Sequence, residues 1–127
     1  MEVIPAELHN FIAANIETVD QLRILLLLRN SPERTWNAMS ITTVLQVQLE
    51  AAETGLEQLH QRGLLALADQ DRRRYCYQPV DVERDTLTRA VAELDRTRPV
   101  TLINLIATRP SEALQAGANT RKEPYSP

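Results

Sequence analysis

The run Leu22-Arg23-Ile24-Leu25-Leu26-Leu27-Leu28 constrains this chain more than any other segment, because all but one of its side chains are large and apolar. At helical spacing such a run has no polar face to offer water, so other elements must cover the helix on nearly every side. Thr18-Val19-Asp20-Gln21, just before it, has the capping-box pattern: the Thr18 hydroxyl accepts from the first turn and the Gln21 side chain reaches back. The expected centre of the fold is therefore one buried helix, wrapped by the rest of the chain. A length of 127 residues suits a single domain that buries about two-thirds of its unfolded surface.

The wrapping elements follow in order. Pro5 starts a helix whose apolar face is Leu8, Phe11, Ile12 and Ile16. Ser31-Pro32-Glu33 is a second start signal, followed by Trp36, Met39, Ile41, Val44 and Leu45; the segment predicts a turn or strand at Thr35–Trp36 and a short helix from about Asn37 to Leu45. After a turn at Gln46-Val47-Gln48, the residues Leu49, Ala52, Leu56 and Leu59 mark one face of a helix that ends before Gly63, a natural left-handed cap, while Gly55 within it fits a close approach between helices. Leu64–Ala68 and Tyr75–Gln78 read as two strands around Asp69-Gln70-Asp71-Arg72-Arg73-Arg74. Asp81 caps a helix over 82–97, with Leu87, Ala90, Val91 and Leu94 on one face. Beyond Pro99, the segment 100–108 keeps only Thr101, Asn104 and Thr108 polar, so a helix there should be covered on most sides. Pro110-Ser111-Glu112 starts a last short helix, and 123–127 reads as a loose tail.

Charge and reactive residues narrow the chemistry. The formal net charge of −3 gives no general attraction to nucleic acid or acidic lipid, so binding of either kind has to come from a local patch. Cys76 is the only cysteine and His9 and His60 the only histidines, which leaves no intrachain disulfide and no zinc-ligand spacing; neither metal nor cofactor is expected. No glycine-rich phosphate loop and no nucleophile–histidine–acid motif is present, and the chain reads as a non-enzyme. Cys76 reads as an inert strand residue and Trp36 as a core anchor between helices. An acid near the N-terminus and apolar runs far shorter than the roughly 20 residues that span a bilayer predict a cytoplasmic protein without a membrane partner.

Helix, turn, helix and then at once a two-stranded hairpin is the order of a winged helix. LEAAETGLEQLHQRGLL with DQDRRRYCYQPV resembles the recognition helix and wing of the MarR-type bacterial transcriptional regulators, through Arg62-Gly63-Leu64 and Asp69…Asp71-Arg72-Arg73. The resemblance covers about residues 36 to 80. It implies a mainly α fold with a small β-hairpin, a winged helix-turn-helix with additional N- and C-terminal helices. It also implies that Arg72, Arg73 and Arg74 reach the backbone of duplex DNA while Gln48, Ala51, Thr54 and Gln58 face base edges. The chain departs from the family at Glu50, Glu53 and Glu57, which put three negative charges and no positive one on residues 48–59. A glutamate about 4 Å from a phosphate costs roughly 1 kcal/mol in water and about 4 at an effective dielectric of 20. Specific DNA binding exceeds non-specific binding by only about 4–10 kcal/mol, so two misdirected glutamates cancel much of that margin. Breaks at Pro99 and Pro110 also depart from the long terminal helices usual in the family.

Two readings of function stand at this level. One is a DNA-binding transcriptional regulator acting as a homodimer, with an effector between the winged body and the terminal helices as a variant. The other is a winged-helix interaction or assembly module that binds a protein partner, not DNA, through Glu50, Glu53 and Glu57. The arginine tip has a plain alternative too: solvated cations paired with Asp69 or Asp71. The domain is expected over 1–122, its winged core at about 18–80 and a helical dimerisation part at about 81–122. The apolar residues Leu87, Val91, Leu94, Leu102, Ile103, Leu105 and Ile106 are the expected dimer contact.

Overall fold

The computed structural model describes residues 5–107 and folds them into six helices and one two-stranded antiparallel sheet. At the centre is α2 (Val19–Asn30), with Leu22, Ile24, Leu25 and Leu28 buried and Leu26 and Leu27 half-buried, as its all-round apolar sequence requires. The Thr18 hydroxyl accepts from the Gln21 N–H at 3.1 Å. The reciprocal half of the cap lands one residue early: the Gln21 side-chain carbonyl accepts from the N–H of Glu17 at 2.9 Å, not from that of Thr18.

Helix α1 (Ala6–Asn15) follows Pro5 and packs Leu8, Phe11 and Ile12, with Ile16 just beyond its end, into the same core. The start signal at Ser31-Pro32-Glu33 makes a turn, not a helix. Extended backbone at Trp36 intervenes, and α3 (Ala38–Leu45) begins only at a full capping box: the Asn37 side chain accepts from the Ser40 N–H at 2.8 Å, and the Ser40 hydroxyl accepts from the Asn37 N–H at 3.0 Å. Of α3 only Ile41 is buried; Met39 and Val44 face outward. A left-handed Gln46 (φ 60°) ends the helix, and Arg23 of α2 donates to the Leu45 carbonyl at 3.0 Å.

Helix α4 (Leu49–Gln61) buries Ala52, Gly55, Leu56 and Leu59. A Cβ at Gly55 would lie 2.8 Å from Ile24 Cδ1, so this glycine sets the close approach of α4 to α2. Gly63, at φ 81°, turns the chain out of α4, and its N–H donates to the His60 carbonyl at 3.0 Å. Two arginines lock this corner. Arg62 donates to the Ala14 carbonyl at 2.8 Å and pairs with Glu17 at 2.7 Å, and Arg84 donates to the Arg62 carbonyl at 2.9 Å.

The hairpin pairs β1 (Leu65–Asp69) with β2 (Arg74–Tyr77), each strand starting or ending one residue from its sequence-predicted position. The register Leu65↔Tyr77, Ala66↔Cys76 and Leu67↔Tyr75 is interrupted by an irregularity before Asp69↔Arg74. A two-stranded hairpin is marginal by itself. This one is held by buried Leu65 and Tyr75 and by a bridge to Trp36, whose N–H and carbonyl each bond Tyr75 at 2.7 Å. That bridge realises the extended segment expected at Thr35–Trp36, and Trp36 is the core anchor it was read as, with Arg34 stacked 4.2 Å over its ring.

Helix α5 (Val82–Thr97) starts where Asp81 accepts from the Arg84 N–H at 2.8 Å and buries Thr88, Val91 and Leu94. Helix α6 (Pro99–Ala107) packs Leu102 and Ile106 against α1, α2 and α5. It is not covered on most sides: Val100, Ile103 and Asn104 are exposed. The helix expected at Pro110-Ser111-Glu112 and the tail at 123–127 lie outside the described residues. No described helix is long and apolar enough to cross a membrane.

Candidate functional site

The tip of the hairpin leans over the outer face of α4, because Trp36 holds Tyr75 on one side and His60 meets the Tyr75 ring edge-on at 5.7 Å on the other. His60 is itself fixed by a 3.0 Å contact from Nδ1 to the Leu65 carbonyl. Between tip, α4 and the start of α3 lies an open cleft of about 560 Å³. Its apolar part is Ala38, Met39, Leu49, Leu56 and Tyr75; Glu53, Glu57 and Asp71 stand against Arg72 and Arg73 around it, a net charge of −1.

The three adjacent arginines do three different things. Arg74 is half-buried and folded back on the body of the protein, its Nε donating to the Thr35 hydroxyl at 2.8 Å and its Nη2 to the Thr35 carbonyl at 2.9 Å. Arg73 adopts a left-handed backbone (φ 51°) and reaches across the cleft to the Glu57 carboxylate at 2.9 Å and the Tyr75 hydroxyl at 3.1 Å. Arg72 alone, among the three, keeps an exposed guanidinium with no side-chain partner among the described residues; only its backbone N–H is engaged, by Asp69 at 3.2 Å. The pairing expected of Asp69 or Asp71 with the arginine side chains is thus replaced by a pairing with Glu57 of α4.

On α4, Gln48, Glu50, Glu53, Thr54 and Glu57 are exposed and Ala51 is half-buried. Gln58 is half-buried at the edge of this face: its side-chain carbonyl accepts from the buried Gln21 amide, which ties α4 to α2. It still borders the same surface as Glu53, Thr54 and Glu57, but its side-chain carbonyl is engaged in the helix junction. Of the residues expected at a dimer contact, Val91, Leu94, Leu102 and Ile106 are buried in the chain's own core, Leu87 and Leu105 are half-buried, and Ile103 alone is exposed. The intramolecular packing of α5 and α6 on α1 uses the surface that was expected to meet a second copy.

Sequence reasoning did not single out Thr35, Tyr75, Met39 and Leu49 as site residues. The signal for Thr35 and Tyr75 was the extended reading of Thr35–Trp36 beside a hairpin, which needs a strand partner. Met39 and Leu49 stood in apolar patterns with no role of their own; they line the cleft, 62% and 41% exposed. Among the described residues no group of three or more His, Cys, Asp or Glu is arranged to hold a metal ion. Comparison of the chain with protein-family models, with curated proteins and with solved structures gave no match.

Proposed function

We propose that the chain is a winged-helix module, with α4 as its recognition helix and β1–β2 as its wing, that docks a protein partner on the α4 face. The observation that carries this reading is the fate of the basic wing: Arg74 is committed to Thr35 and Arg73 to Glu57, while Glu50 and Glu53 of α4 stay exposed. A phosphate backbone approaching α4 would meet these carboxylates with Arg72 as the one unengaged cation of the tip. The counterion-release term that normally supplies most DNA affinity is then small. A basic protein surface meets the same carboxylates favourably, and such charge complementarity directs encounter and register.

A second reading, a DNA-binding regulator, is favoured by one feature: Arg72 of the tip and Gln48 and Thr54 at α4 are all exposed. Fluorescence anisotropy on random and upstream duplexes across about 50 to 200 mM salt separates the two. No binding at low salt is the expected result; salt-sensitive binding, weakened by Arg72→Ala, would replace the docking reading by the DNA one. The proposal includes a homodimer, now through the exposed residues Val100 and Ile103 of α6, since Leu102 and Ile106 of that helix face inward.

A further inference from the structure

Resting on the protein-docking reading, we propose that the cleft between α3, α4 and the hairpin tip takes a segment of a partner protein in which a large apolar side chain lies next to an arginine or lysine, and that Arg73 occupies that cation's place when the partner is absent. The cleft is chemically two-sided. Met39 and Leu49 leave apolar surface open to water at its mouth, above buried Leu56, whereas Glu53 and Glu57 line the α4 wall. A volume of about 560 Å³ falls within the range in which pockets enclose most of a small ligand, enough for a few side chains of a larger partner. An apolar anchor would remove Met39 and Leu49 from water, and its cationic neighbour would meet the Glu57 carboxylate.

The Arg73–Glu57 pair shows which contact that wall accepts. A guanidinium sits on the carboxylate at 2.9 Å and on the Tyr75 hydroxyl at 3.1 Å, and it is brought there by a left-handed backbone that a non-glycine residue rarely adopts. Both partners of the pair are more than half or about half exposed, 61% and 50%, so the contact is weak and easily exchanged. A partner arginine that forms the same contact while also burying an apolar neighbour displaces Arg73, because the internal pair brings no apolar burial. The hairpin tip is then a competitive latch over its own docking cleft.

The test uses the full chain and three fluorescein-labelled short peptides: leucine and phenylalanine interspersed with arginine and lysine, the same apolar residues with glutamate, and the same basic residues with serine in place of the apolar ones. Only the first should bind. Glu57→Lys should weaken it by about tenfold or more, and Arg73→Ala should tighten it about threefold by freeing Glu57. Glu57→Gln, which keeps the side-chain shape, should weaken it in the same direction, guarding against a misfolded reversal variant. Equal binding of the serine peptide would overturn the apolar anchor, and weaker binding by Arg73→Ala would overturn the latch. If no peptide binds while duplex DNA is also ignored, this occupant is wrong and the docking reading survives; if duplex DNA binds with salt sensitivity, the docking reading itself falls.

Discussion

Gly63 is required by its backbone and by its surroundings at once. Its φ of 81° is a conformation that L side chains avoid at a cost of roughly 1–2 kcal/mol, and an added Cβ would sit 3.0 Å from Val80 Cγ2 and 3.1 Å from Arg84 Nε. Gly63→Ala should therefore lower unfolding stability by about 1–2 kcal/mol, read as a reduced urea midpoint at unchanged slope. The sequence announced this residue through its place after an amphipathic helix, and the structure agrees. Gln58 was less legible. Placed by periodicity alone it can join either the outer face with Ala51 and Thr54 or the inner one with Gly55, three residues before it. The close approach that Gly55 allows brings Gln21 of α2 alongside, and the buried amide recruits Gln58 inward. A half-exposed helix position becomes a junction residue through the identity of its neighbour, which periodicity does not carry. The fates of Arg73 and Arg74 were hidden for a related reason: their partners, Glu57 and Thr35, lie 16 and 39 residues away, beyond any local pattern.

At the scale of elements, the hairpin depends on what it leans against. Arg74 binds Thr35 through two charge-assisted hydrogen bonds, so Arg74→Ala should destabilise the protein by about 1–2 kcal/mol. Arg72→Ala, at an exposed tip with no side-chain partner among the described residues, should leave stability within about 0.5 kcal/mol of the parent. Equal effects of the two substitutions in urea titrations would show that the arginines are interchangeable after all. On the other strand edge, Tyr77 donates to Asp85 at 2.7 Å and joins β2 to α5. Burial first, and then this hydrogen bond, push its pKa up to about 12 from the ordinary value of 10.0. The folded state thus holds the phenolic proton where the unfolded chain has released it, so the stabilisation is whole below about pH 10 and is lost as pH rises towards 12. The parent should lose stability over that window more steeply than Tyr77→Phe, which has no phenol to ionise. Helix starts at Asp81 and Pro5 and the long face of α5 were legible because caps and periodicity are local signals. The start of α3 was legible too, expected at about Asn37 and found with Asn37 as its cap; what the extended Trp36 bonds to was not, because Tyr75 lies 39 residues further along the chain.

For the whole molecule, the decisive question is what the apolar residues of α5 and α6 cover. Spread over helical patterns, Val91, Leu94, Leu102 and Ile106, together with the apolar face of the first helix, suggested more apolar surface than one domain could hide; the helices cover one another instead. Packed on α1 and α2, these four side chains close the core of a single chain and leave Val100 and Ile103 outside. Core and interface positions then separate by experiment, although they alternate along one nine-residue helix. Leu102, fully buried, should cost about 2–5 kcal/mol when cut to alanine whether or not a second copy is present, because the loss is a cavity within the monomer. Ile103→Glu, at 40% exposure, should leave the urea midpoint of the isolated chain nearly unchanged. In light scattering at micromolar concentration the parent should have the mass of two chains and Ile103→Glu that of one. A parent of single-chain mass would remove the homodimer and leave the exposed face of α6 as ordinary surface, without disturbing the fold or the cleft, since neither uses Ile103.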